Sequence, residues 1–104
     1  MIEEVETGIG RLVILARRDL PWNVRCVQAA HAVANWAKAC KMRTEEWGPY
    51  GPAFVLYGVN GAEEMEEWAS RLEDSVLFCE PDLGGEPTAL AWHGSGSLEG
   101  LHLL

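Results

Sequence analysis

The chain has few cysteines, few cations in its second half and no long apolar run, and each scarcity excludes something. Three cysteines in 104 residues are too few for the disulfide framework that staples small extracellular domains. Cys26 and Cys40 fall on one expected helix, roughly 21 Å apart at helical rise, beyond the reach of a bridge. Cys79 falls in an expected strand, so buried free thiols are the expectation for all three. No stretch approaches the ~20 apolar residues that cross a bilayer. Met1 to Gly8 carries Glu3, Glu4 and Glu6 and lacks the basic-then-apolar order of a signal peptide. A cytoplasmic protein without membrane contact is therefore expected. His93 and His102 have no Cys, His or Asp at metal-ligand spacing, and no helix clearly opens after Gly94-Ser95-Gly96-Ser97 to make a phosphate loop. Neither metal nor other cofactor is expected.

Cations are unevenly placed. The net charge is −8. Residues 1–52 hold seven of the eight Lys and Arg against six acids, whereas residues 53–104 hold ten acids and only Arg71. Contact with a phosphate backbone would have to use Arg17, Arg18, Arg25, Lys38, Lys41 and Arg43, with the acidic half turned away. The alternative is that the acids serve only solubility.

What is present is alternation of strands and helices in one domain spanning residues 1–104. Residues 11–17 form an apolar run suited to a buried central strand. Pro21-Trp22-Asn23 ends it, and Asn23 can cap a helix from Val24 to about Met42. Cys26, Ala29, Ala30, Val33, Trp36, Ala37 and Cys40 are expected on its inner face, and Gln28, His31, Asn35 and Lys38 on its outer face. The stretch from Glu45 to Pro52 is turn-rich. Ala53 to Val59 reads as a second strand. Asn60-Gly61-Ala62-Glu63 has the form of a capping box, and the helix behind it turns Met65, Trp68, Ala69 and Leu72 inward. Ser75 to Cys79 and Pro87 to Trp92 read as two further strands. The short Gly-rich link between them makes that pair antiparallel. Leu101, Leu103 and Leu104 are expected to dock the tail on the domain. This is an α/β protein, expected as a three-layer α/β/α sandwich. Its four-stranded mixed sheet would have the last strand antiparallel. The five tryptophans are expected in the core, with a homodimer interface as the alternative.

Polar residues collect where strands end and the first helix begins, the edge at which open α/β sheets place their sites. His31 is either an acid–base group near neutral pH or a structural histidine. Asp82 is either a base or a turn former. Thr88 either offers its hydroxyl or simply opens a strand. Arg17, Arg18 and Arg25 are candidate phosphate binders.

Two segments carry a resemblance. Arg17-x-Asp19-Leu20 is followed by Gln28-x-x-His31-Ala32, and Asp82-x-Gly84 by Thr88 leading into an apolar strand. Together they resemble the type 2 peptidyl-tRNA hydrolase family over about residues 11 to 104, in a short form like that of bacterial and phage chains. The resemblance implies metal-free hydrolysis of the ester of peptidyl-tRNA or aminoacyl-tRNA, by a protein that is often a dimer. It implies Gln28, His31, Asp82 and Thr88 as catalytic-site residues. The family's functional lysine, four positions before the glutamine, is Val24 here. The alternative function is a non-catalytic member of the same fold that binds a small anion, a nucleotide or a protein.

Overall fold

The computed structural model describes residues 4–6, 11–40, 53–93 and 95–104. The Glu45–Pro52 stretch, Trp47, Lys41, Arg43 and the expected helix end at Met42 lie outside the described residues. In chain order the elements are β1 (Glu4–Glu6), β2 (Arg11–Arg17), α1 (Trp22–Cys40), β3 (Ala53–Val59), α2 (Ala62–Arg71), β4 (Val76–Glu80), β5 (Glu86–Trp92), β6 (Ser95–Ser97) and β7 (His102–Leu103). No described helix is long and apolar enough to cross a membrane.

The protein is a mixed α/β structure whose main sheet has the order β4-β5-β2-β3-β7. β2 is central, as its unbroken apolar run requires. It pairs in parallel with β3, with Leu12 opposite Phe54, and antiparallel with β5, with Val13 opposite Trp92. β5 is antiparallel to β4 as well, so it lies between two strands of opposite sense. The expectation of four strands is corrected to five. The fifth, β7, pairs antiparallel with β3 at Tyr57–Leu103 and Gly58–His102. Two residues are too few to show a sequence period. β1 and β6 form a separate two-stranded ribbon.

The side chains of β2 alternate between two neighbourhoods. Val13 and Leu15 join Tyr57, Val59, Leu90 and Trp92 in a cluster with Met65, Trp68 and Leu72 of α2. Leu12 joins Ala89 and Ala91 in a cluster with Ala32 and Trp36 of α1. Alanines on both partners let α1 approach the sheet closely. Leu98 and Leu101 from the tail complete the α2-side cluster, whereas Leu103, expected to dock, is exposed.

Four local readings are corrected. α1 opens at Trp22, and its first turn closes on the Pro21 carbonyl, which accepts from Arg25 N–H at 2.9 Å, so Asn23 lies inside the helix rather than capping it. On α1, Gln28 is on the buried side with Ala32 and Trp36, while Cys26 and Ala30 are exposed. Positions 28, 32 and 36 are four apart and share one helix face. Cys26 and Cys79 are free and exposed rather than buried. The N-cap of α2 is Gly61 with no side-chain cap, and Glu64, not Glu63, reaches back to accept from the Asn60 amide at 2.9 Å.

Candidate functional site

The carboxyl ends of β2 and β4, the start of β5 and the first turns of α1 meet at one edge of the sheet. Between α1 and the β4–β5 connection lies a cleft of about 380 Å³. Its helix wall is Val24, Val27, Gln28 and His31, which follow the i, i+3, i+4, i+7 stripe of a single face. Asn23 stands at its helix-end margin, and Glu80, Asp82 and Leu83 form the opposite wall. The structure thus brings Gln28, His31 and Asp82 together.

The loop wall is built by Glu80. Pro81 opens a single 3-10 turn, Pro81–Leu83, where its fixed φ and missing N–H are tolerated. The Glu80 carboxylate accepts from the Asp82 amide at 3.2 Å, and the Glu80 carbonyl accepts from Gly85 N–H at 3.0 Å. Gly84 and Gly85 both have positive φ, 68° and 77°, which lets the chain reverse into β5. Glu80 is a charged residue of the cleft that the residue pattern did not single out. An acid directly before Pro-Asp, at the capping position of a short turn, is the signal that could have found it.

Thr88 is placed behind the cleft rather than in it. It is fully buried, and its hydroxyl donates to Gln28 Oε1 at 2.7 Å. Strict alternation would put Thr88 with Leu90 and Trp92, on the α2 side. The β4–β5 register slips between Phe78 and Cys79, leaving one extra residue on β5. This bulge re-aims Thr88 toward α1. With its carbonyl oxygen taken, Gln28 offers its amide NH2 to the cleft. His31 is exposed on its solvent side and stacks on Phe78 of β4, centroids 4.6 Å apart and planes within 14°. The stack fixes the ring at the cleft wall.

None of the three arginines lines the cleft. Arg17 is buried at 8% exposure and makes a two-pronged pair with Asp19, at 2.9 and 2.6 Å. It also pairs with Glu86 at 2.9 Å. The Asp19 hydrogen bond raises the Arg17 pKa further above its already high value, and the same bond holds Asp19 below the ordinary carboxylate range. Arg17 is therefore neutralised inside the protein. Arg18 crosses Gly58 and donates to the carbonyls of His102 and Leu103, at 2.9 and 2.8 Å. Arg25 donates to the carbonyls of Leu20 and Arg18, at 2.7 and 2.9 Å, and lies over the exposed Trp22 ring. Arg18 and Arg25 thus donate to backbone carbonyls rather than to carboxylates.

A larger space of about 610 Å³ lies between α2 and the tail, bordered by Glu63, Glu64, Glu67, Arg71 and Glu99. It contains no imidazole or nucleophile. Among the described residues, no three His, Cys, Asp or Glu side chains are grouped to hold a metal ion. Fold and cleft together define a class: an α/β protein with a helix on each core of a mixed sheet and a polar cleft at the strand ends. No family model matches the chain, and no curated protein matches it.

Proposed function

We propose that this cleft hydrolyses the ester linking a peptide or an amino acid to tRNA, in a cytoplasmic protein of the three-layer α/β/α kind. The observation that carries the reading is the meeting of Gln28, His31 and Asp82 on one cleft, because these are the residues that the resemblance to type 2 peptidyl-tRNA hydrolases implies. Ester hydrolysis needs a base to orient or deprotonate water and donors for the developing oxyanion. Asp82 is exposed and its carboxylate has no ion-pair partner among the described residues, so it is free to act on water. Gln28 supplies an N–H donor whose aim is set by Thr88, a positioning residue. His31, held on Phe78, completes the polar wall. Arg18 and Arg25 supply the positive field for phosphate.

The test is hydrolysis of purified peptidyl-tRNA and aminoacyl-tRNA. Asp82→Asn keeps the shape and removes the base, so kcat is expected to fall by about 10²–10⁴-fold with KM little changed. Binding is expected to weaken steeply with salt as phosphate contacts release counterions. Absence of turnover in the unsubstituted protein defeats the reading. One observation favours the alternative, a non-catalytic binder of a small molecule or protein. No Lys or Arg lines the cleft, and Arg17 is neutralised by Asp19 and Glu86. Salt-insensitive or absent RNA binding would select it.

A further inference from the structure

We propose that the outer edge of β4 docks an extended segment of a partner protein, apolar at its centre and carrying Lys or Arg at both ends. The edge serves such a partner whether or not the cleft turns over an ester.

β4 closes one side of the main sheet, and among the described residues no strand pairs with its outer side. A strand in that place presents a row of backbone N–H and C=O groups to a newcomer. The opposite side of the sheet ends in β7, which at two residues is too short to offer a ladder. β4 runs five residues, Val76–Glu80, with four apolar side chains in succession and neither Pro nor Lys to blunt it. The extra residue of the bulge is on β5, so β4 itself stays regular. Both faces hold it in place. Val76 and Phe78 pack on the α1-side cluster, and Leu77 on the α2-side cluster. An edge so held needs little ordering when a peptide adds to it, and the side chains of the added strand extend the two clusters alternately.

Charge chooses the occupant. Glu73 and Asp74 precede the strand, and Glu80 and Asp82 stand at its other end. Glu80 lies directly opposite Glu86 on β5. Arg17 answers Glu86, whereas Glu80 has no ion pair among the described residues. Like charges opposed across strands are destabilising, and a cation on the outer side of Glu80 relieves them. A second copy of the chain fits poorly. Antiparallel self-pairing centred on Leu77 would bring Asp74 against Glu80, and centred on Phe78 against Asp82, twice in each case. The net charge of −8 on each chain adds to the repulsion. A segment with cations six positions apart instead spans roughly 20 Å of extended chain and meets Asp74 and Glu80.

The experiment titrates the full chain into a fluorescein-labelled heptapeptide, Arg-Thr-Val-Thr-Val-Thr-Arg, and reads anisotropy. Amide hydrogen exchange on the complex locates the contact. Two further peptides replace both Arg by Glu, or two adjacent central residues by Pro. The Arg-ended peptide is expected to bind about tenfold more tightly than the Glu-ended one at low salt, and by less at high salt. The Pro-containing peptide is expected to lose about tenfold or more, because it cannot donate to the ladder. Glu80→Gln keeps an oxygen for the Asp82 amide and removes the charge. It is expected to weaken the Arg-ended peptide by about two- to fivefold. Slowed exchange is expected at alternate amides of β4 and not in β3. Equal binding of the Glu-ended or the Pro-containing peptide, protection away from β4, or no binding overturns the proposal. So does a chain that pairs with itself at β4, seen as concentration-dependent protection there without peptide.

Discussion

The two helix-covered faces of the sheet are built from the same strands and differ in almost every physical respect. The α2 face is large, apolar and closed: Leu15, Val59, Met65, Leu90, Trp92 and Leu98 are all essentially without solvent contact. The α1 face is thinner and mixed. Its core is mostly alanine with Leu12 and Trp36, and it admits the buried Thr88–Gln28 hydrogen bond. At its open end Trp22, Val27 and Leu83 remain exposed. The lesson is a division of labour. Stability is concentrated where side chains are large and dry, and the cleft forms where small residues leave room for polar groups.

The widest gap between the faces is expected from tryptophan. Trp92 is 1% exposed and its indole N–H donates to the Glu73 carbonyl at 3.1 Å. Trp92→Ala is expected to cost about 3–5 kcal/mol in urea unfolding. Trp22 is 59% exposed, and Trp22→Ala is expected to stay within about 0.5 kcal/mol. Similar losses at both positions would break the comparison.

Thr88→Val tests the polar element of the α1 face. The shape is kept, but Gln28 Oε1 loses its donor in a buried site. A loss of about 1–3 kcal/mol is expected, and on the proposed hydrolysis turnover is expected to fall as well, because Gln28 is no longer aimed. A fully stable variant would show that the bond neither supports the face nor fixes the cleft.

Gly58→Ala probes the edge between the faces. An added Cβ would meet Arg18 Nε at 2.5 Å, so the arginine must leave the carbonyls of His102 and Leu103. The expected loss is about 1 kcal/mol. Faster hydrogen exchange is expected at the Leu104 amide, which donates to Leu56 O at 3.1 Å.

The smallest effect is expected on acidification. Arg17 holds Asp19 below the ordinary carboxylate range. Between the unfolded value of about 3.9 and the lower folded value, the unfolded chain binds the extra proton. Stability from this pair is therefore complete above that window and lost as pH falls through it. Asp19→Asn is expected to flatten the dependence there, measured by unfolding at several pH values.

The parts legible in the residues are those that depend on near neighbours. The β2 and β3 boundaries follow directly from their apolar runs. The inward set of α2, Met65, Trp68, Ala69 and Leu72, follows from helical spacing with acids on the other side. The orientation of α1 is not legible in the same way, because Ala29, Ala30 and Ala32 put small apolar residues around much of the helix. Its apolar pattern therefore does not choose a face. The residues place Gln28 toward solvent because nothing within a turn of it indicates a buried donor.

Sequence by itself determined the α/β character, the central strand, both helices and the antiparallel link through Asp82, since each follows from spacing or turn chemistry within a few residues. Tertiary structure alone decided the fifth strand and the use of the arginines. It also decided the pairing of Thr88 with Gln28. Those depend on partners far apart in the chain, such as Arg17 with Glu86 and Arg18 with Leu103. A hydrogen bond formed across 60 positions leaves no period in the residues it joins, and only packing brings its two ends together.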